Sequence, residues 1–251
     1  MIVFIKLLLA HLLGDFLLQP SSWVVDKENK KHKSRYLYFH VFLHFLLTWV
    51  LVGVISFGWF ALILAIIHGS IDWMKLRFQK PSTKRKWFII DQMLHLIVLL
   101  AIAFMWENNI VSINQFSEEI SGRSVNNIPF IGNYFWVYLT AVIFLTKPTS
   151  IIIRNIISIW TPEKKSQKDD SLQNAGNYIG ILERFFVFYF VVSGHLEAVG
   201  FLLAAKSIFR FGDLKEAKDR KLTEYVLIGT LISFGFAFIV AILVNLSALF
   251  L

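Results

Sequence analysis

Eight side chains able to bind a metal ion recur as four pairs in the first half of the chain. The members of each pair stand four residues apart in an apolar stretch, and the pairs are His11 and Asp15, His40 and His44, His68 and Asp72, and Asp91 and His95. On an α-helix this spacing places both side chains of a pair on one face, one turn apart. Imidazole nitrogens and carboxylate oxygens suit zinc, manganese and iron. We therefore predict a site for one or two divalent ions, with zinc favoured and manganese or iron as alternatives.

The composition places these pairs in a membrane protein. Of the 251 residues, 56% are hydrophobic and only 17% are charged, a balance typical of helical membrane proteins. The chain has no cysteine, which excludes disulfides, thiolate ligands and a cysteine nucleophile. Burying ionisable groups in such helices is costly, so the pairs indicate function. We predict an all-α fold, a polytopic transmembrane bundle of about eight helices.

Hydrophobic runs and breaks define the predicted helices. Pro20 ends the first helix, which is barely long enough to span a bilayer and either crosses it or is re-entrant. The predicted helices cover about residues 2–19, 36–55, 59–78, 87–106, 134–160, 178–192, 195–211 and 223–251. The long segment between the fourth and fifth helices, 107–133, is interpreted as a loop. The chain then divides into two four-helix membrane domains, residues 1–106 and 134–251.

The charges of the predicted loops give an orientation. Most lysines and arginines fall in alternate loops, at 20–35, 79–86, 161–177 and 212–222. The positive-inside rule places these loops in the cytoplasm and both termini outside. The net charge of +8 is then a property of these loops, and no specific nucleic-acid partner is expected. In this arrangement all four pairs lie at one depth, in about the inner third of the membrane.

Several neighbours of the pairs have simpler interpretations. Gln19 is interpreted as an interfacial anchor, with contact to a substrate as the alternative. Lys75 is interpreted as a side chain that extends to the headgroups, with an anionic group as the alternative partner. Gly14 and Gly69 are explained by close helix packing. Without a metal, the four pairs would form a polar network that holds helices together.

Basic side chains in the second half could bind an anionic group. Lysine and arginine bind phosphate oxygens, and the candidates are Arg154, Arg184, Lys206 and Arg210. The plainer interpretation is that these charges pair with Glu183 or reach the headgroups, which would leave no phosphate site.

The motifs together resemble a bacterial inner-membrane family of unknown function. In the first half they are HLLGDFLLQ, the paired histidines of the second helix, H-G-S-I-D-W-x-K at 68–75 and D-Q-x-x-H at 91–95. In the second half they are GNYIGILER, GFLLAAKSIFRFG and KDRKLTEY. The resemblance implies a multi-pass protein of the bacterial inner membrane, with membrane lipid around it. More loosely, the histidine and aspartate set is similar to that of membrane-bound metal-dependent hydrolases.

Three functions follow from this pattern. The first is a metal-dependent hydrolase at the cytoplasmic leaflet, with an amphipathic or phosphate-bearing substrate such as an anionic lipid. One of Asp15, Asp72 or Asp91 would then act as general base or orient a ligand. The second is a metal-ion or proton transporter or channel, which would need polar residues up to the outer face. The third is an oligomeric membrane effector or sensor with a structural metal.

Overall fold

Every regular element in the described part of the chain is helical, as the sequence predicted. The computed structural model describes residues 1–121, 132–160, 175–211 and 217–247, with the side chains of 109–121, 209–211 and 217–220 left out. The helices are α1 (Ile2–Leu12), α2 (Ser21–Lys30), α3 (Arg35–Val52), α4 (Gly58–Phe78), α5 (Lys84–Ser121), α6 (Asn133–Phe144), α7 (Lys147–Ile157), α8 (Ala175–Val192), α9 (Leu196–Phe211) and α10 (Ala217–Ser247).

Fewer helices could cross a membrane than the eight predicted. In the described residues, five are long and apolar enough, and the number rises to seven if each of two bent helix pairs is one span. The bent pairs join α1 to α2 at 82° and α6 to α7 at 41°. The chain is therefore a polytopic helical membrane protein by the length and composition of its helices.

Two segments predicted as loops are helical. The polar segment after Pro20 contains α2, and α5 continues to Ser121 instead of ending near Trp106. Residues 107–121 contain neither glycine nor proline, and the first glycine that follows is Gly122. Polarity alone does not end a helix when no residue breaks the backbone pattern, and this is why both predictions were wrong.

The predicted helix 134–160 is broken in the middle. Pro148 lies in the first turn of α7 and has no N–H to offer the carbonyl of Phe144. The hydroxyl of Thr149 donates to that carbonyl instead, at 2.6 Å. A proline inside an apolar run thus separates α6 from α7.

Contacts divide the chain into two compact units, Met1–Thr140 and Ala141–Leu251, with the boundary inside α6. In the first unit, α1, α3, α4 and α5 pack side by side. The amino group of Met1 pairs with Glu107, so the start of α1 and this part of α5 lie at one end. Near this end an apolar core forms from Leu7, Val52, Phe57, Ala61, Leu64, Leu99, Ile102, Ala103 and Trp106. In the second unit, α10 packs on α7 and α8.

Candidate metal centre

The predicted ligands on the first helix lie at a change of helix type. The α-helical pattern ends at Leu12, and Leu13–Leu17 form one π-helical turn, closed by the bond from Leu18 N to Leu13 O at 2.8 Å. Turns of this kind occur often at functional sites because they re-aim side chains. Here the π-turn carries Asp15 towards α3 and α4, while His11 remains on the regular part of α1.

Asp15 is surrounded by histidines from three helices. Its Oδ1 lies 2.8 Å from His44 Nε2, 3.1 Å from His40 Nε2 and 3.4 Å from His68 Nε2. Its Oδ2 lies 3.9 Å from His11 Nε2. One ion bound at 2.0–2.2 Å to each ligand separates the ligand atoms by about 3–4 Å. The separations around Asp15 therefore fit a shared ion.

The eight residues form three overlapping ligand groups. Within each group one ligand atom per residue lies within 4.8 Å of the others. The groups are His11, Asp15, His44 and His68; then His40, His68 and Asp72; then Asp72, Asp91 and His95. His68 belongs to the first two groups, and Asp72 belongs to the last two. This overlap allows two neighbouring ions to share ligands.

The cluster is buried and contains polar atoms without hydrogen bonds. His40, His44, His68, Asp91 and His95 are each at most 3% exposed. His11 Nδ1, Asp91 Oδ1 and His95 Nε2 are buried and have no hydrogen-bond partner in the described structure. Buried polar atoms are rarely left unpaired unless a water or an ion satisfies them. A cavity of about 10 Å³ among His11, His44, His68 and His95 has room for one such particle.

Two lysines that were not predicted to belong to this site donate hydrogen bonds to aspartates of the cluster. Lys27 Nζ on α2 donates to Asp72 Oδ2 at 3.1 Å, and Lys75 Nζ on α4 donates to Asp91 Oδ2 at 2.8 Å. Lys27 lies in the predicted cytoplasmic loop 20–35, which instead folds into α2 against the bundle. Lys75 was expected to extend to the headgroups, but it lies one turn beyond Asp72 on α4 and pairs with Asp91. No periodicity in residues 20–35 would have identified Lys27 as buried.

Two glutamines hold ligand side chains in place. Gln19 Nε2 and His40 Nδ1 lie 3.0 Å apart, which leaves Nε2 of that ring facing the carboxylates. The amide of Gln92 donates to Asp91 Oδ2 at 3.0 Å, and its oxygen lies 3.3 Å from His11 Nε2. Partners of this kind orient histidine ligands in metal sites. Gln19 is therefore part of the site and not the interfacial anchor that was expected.

Helix α2 is held over the polar end of the cluster by three consecutive side chains. Asp26 accepts a bond from Ser34 at 2.6 Å, Lys27 binds Asp72, and Glu28 pairs with Lys84 at the start of α5. The opposite end is closed by the apolar core. The two ends of the cluster are therefore distinct: lysines bind the carboxylates at the polar end, whereas Lys6, a charged side chain at the other end, donates to the carbonyl of Val52 and not to the cluster.

The basic residues predicted as phosphate partners lie in the second unit. Arg154, Arg184 and Lys206 line a cavity of about 320 Å³. Lys206 pairs with Glu183, as the plainer interpretation expected. Arg184 is buried and donates to the carbonyls of Leu145 and Thr146, at 2.7 and 3.2 Å, where α6 and α7 separate. The side chain of Arg210 lies outside the described residues. A phosphate-binding role for these four stays a prediction.

Comparison with known proteins gives one match. Residues 3–121 match the model of a family described as Protein of unknown function (DUF3307). The match runs from α1 to the end of α5 and includes all eight predicted ligands. The match agrees with the resemblance to an uncharacterised family and does not indicate an activity. No curated protein and no solved structure matches the chain.

Proposed function

We propose that the first unit is a membrane-embedded metal-dependent hydrolase that acts at the cytoplasmic leaflet of a bacterial inner membrane. One observation carries the proposal: ligand atoms from five histidines and three aspartates converge in three overlapping groups at one level of the bundle. A network that only joins helices would not need so many ionisable groups in one place. Two zinc ions account for the overlap if Asp72 bridges them through its two oxygens and His68 binds one of them, with manganese or iron as alternatives.

The proposed reaction is attack of water on an ester bond of an amphipathic or phosphate-bearing substrate. The histidines and aspartates of the cluster would hold the divalent ion, which when bound would lower the pKa of a water and polarise the bond to be cleaved. The water oxygen forms the new bond to phosphorus or carbon, the bond to the leaving oxygen breaks, and the water's protons pass to a carboxylate and to the leaving group. Asp15, Asp72 and Asp91 are the candidates for this carboxylate. Asp91 Oδ1 is buried without a hydrogen bond and lies 3.5 Å from His95 Nε2.

The distribution of polar groups supports access from one side only. The polar end of the cluster carries Lys27, Lys75, Gln19 and Gln92. The other end is mostly apolar core, with Thr48 and Lys6 beside it. A transporter needs polar groups on both sides of its ion site. The apolar core therefore favours a hydrolase over the transporter or channel.

Metal analysis combined with turnover tests the proposal. Purified wild-type protein is expected to contain one or two zinc ions per chain and to hydrolyse phosphate-ester lipids in micelles. Chelation is expected to abolish turnover, and returning zinc is expected to restore it. His68→Ala should lose both the metal and the turnover, whereas His32→Ala, which changes an exposed histidine, should keep them. Turnover that survives complete removal of the metal would overturn the proposed mechanism.

A further inference from the structure

The two lysines at the centre have carboxylate partners that are also predicted metal ligands. Asp72 and Asp91 each give one oxygen to a lysine, and Asp72 is shared by two ligand groups. Both lysines are largely enclosed, with side chains 7% and 25% exposed for Lys27 and Lys75. A buried ammonium group requires an anionic partner or extensive hydrogen bonding. An ion that takes both oxygens of one of these carboxylates therefore leaves its lysine in need of a new partner.

The charge of the cluster changes sign when it is filled with metal. Three aspartates and two lysines, with neutral histidines, carry a net charge of −1. Two divalent ions bring this sum to +3. In surroundings of low dielectric constant, an excess of this size strongly favours binding of an anion. A phosphate monoester, which carries up to two negative charges, removes most of the excess.

We infer that Lys27 and Lys75 form a phosphate-binding pair, whose ammonium groups turn from Asp72 and Asp91 to a phosphate group when divalent ions take these carboxylates. Lysine suits this role because its ammonium group sits on a flexible four-carbon stem and can change partner without movement of the backbone. The inference rests on the proposed metal centre and deepens it. It names a phosphate monoester as the ligand class and places its recognition in the first unit.

The position of the pair agrees with this role. Lys27 approaches from α2 and Lys75 from α4, so the two lie on different helices at the polar end of the cluster. Gln92 lies beside Asp91 on α5 and offers a further amide donor at the same place. Metal ions with lysines beside them form a common pattern for holding phosphate oxygens. The phosphate can come from a lipid headgroup or from a soluble molecule.

Binding measurements with and without metal test the inference. Zinc-loaded and metal-depleted protein in detergent would be titrated with inorganic phosphate and, separately, with a short-chain phosphatidate. We expect the loaded protein to bind phosphate at least tenfold more tightly than the depleted protein. Tighter binding of phosphatidate than of inorganic phosphate would identify a lipid as the source, and equal binding would identify a soluble molecule.

Variants separate the role of the two lysines from the presence of the metal centre. Lys27→Met and Lys75→Met are each expected to weaken phosphate binding by tenfold or more while the zinc content stays at the wild-type value. Lys30→Met is the matched control, because Lys30 lies on α2 beside Lys27 but pairs with Asp26 at the surface. Lys27→Arg keeps the positive charge and is expected to retain part of the affinity for phosphate. It therefore separates loss of the charge from loss of stability in Lys27→Met.

Two results would overturn different claims. Protein that binds no divalent ion contradicts the proposed metal centre itself. Protein that binds zinc but binds phosphate equally well with or without the metal, or equally well in both lysine variants, contradicts only the role of Lys27 and Lys75.

Discussion

The backbone of Gly14 lies against the imidazole ring of His44, with no room between them for a side chain. A Cβ atom at position 14 would overlap Nε2 of the ring and would lie 2.6 Å from its Cε1. Gly14 was expected to serve helix packing alone. The structure gives Gly14 a second role, because it contacts the ring of His44, a predicted ligand. Gly14 also directly precedes Asp15, another predicted ligand, in the sequence.

Gly14→Ala is expected to displace His44 and weaken metal binding by tenfold or more, measured by competition with a zinc-binding dye. The matched control is Gly69→Ala, whose Cβ would meet Val41 Cγ2 at 2.6 Å and no ligand. That variant should lose stability with little change in metal affinity. Equal loss of affinity in both variants would show that general packing, and not the ring of His44, controls the site.

His68 is the ligand whose loss should affect most of the centre. It belongs to two of the three ligand groups, and its ring stacks on His44 and His95 with centroids 3.8 and 4.1 Å apart. His68→Ala is expected to reduce the zinc content below half of the wild-type value, whereas His11→Ala should remove at most one ion. Elemental analysis of the purified variants measures the zinc content per chain. Identical metal contents in the two variants would argue against a shared ligand.

Bound metal should raise the free energy of unfolding. A ligand present at about 100 times its dissociation constant stabilises the native state by roughly 2.7 kcal/mol per site. We therefore expect zinc to raise the midpoint of thermal unfolding and a chelator to lower it again. A purely structural metal predicts that Asp91→Ala and His44→Ala unfold the protein. A catalytic metal predicts folded but inactive variants, which circular dichroism and turnover together distinguish.

Reconstituted protein is expected to carry no metal ions across a membrane. The core beyond the cluster consists largely of apolar residues such as Phe57, Leu64 and Trp106, and we expect the polar side chains beside it, Thr48 and Lys6, to be too few for an ion path. Liposomes that contain the protein and an internal zinc indicator should therefore show the same influx as empty liposomes. Zinc or proton flux that depends on the protein and is lost in His44→Ala would replace the hydrolase with a transporter.

Arg184 is expected to act mainly in folding. Its guanidinium group also donates to Ser150 and Ser233, at 2.7 and 3.1 Å, so most of its donors are already used. Each buried carbonyl left unpaired costs about 1–3 kcal/mol, so Arg184→Met should lower the free energy of unfolding by roughly 3 kcal/mol. Arg154→Met, which changes an exposed side chain, should change it little. A loss of turnover without loss of stability in Arg184→Met would support the phosphate role instead.

The sequence was sufficient to predict the fold class and the set of histidines and aspartates that converge. Spacing by four residues in apolar helices places a pair such as His68 and Asp72 on one face, and helical geometry needs no tertiary information for this. The burial cost of ionisable groups then requires that the faces meet. The four helices of the first unit do bring these side chains together. Their division into three groups could not be predicted from the sequence.

The remaining features depend on contacts between residues distant in the chain. Whether Lys27 is solvated or buried is decided by the packing of α2 against Asp72, which lies 45 positions away. The π-turn around Asp15, which brings its carboxylate to histidines of α3 and α4, likewise could not be predicted from local periodicity. The sequence by itself determined the helical fold class and the faces that carry the predicted ligands, because periodicity and hydrophobicity are local properties. Only the tertiary structure decided which carboxylates bind lysines and which end of the cluster is polar, because those energies arise when distant groups lose water together.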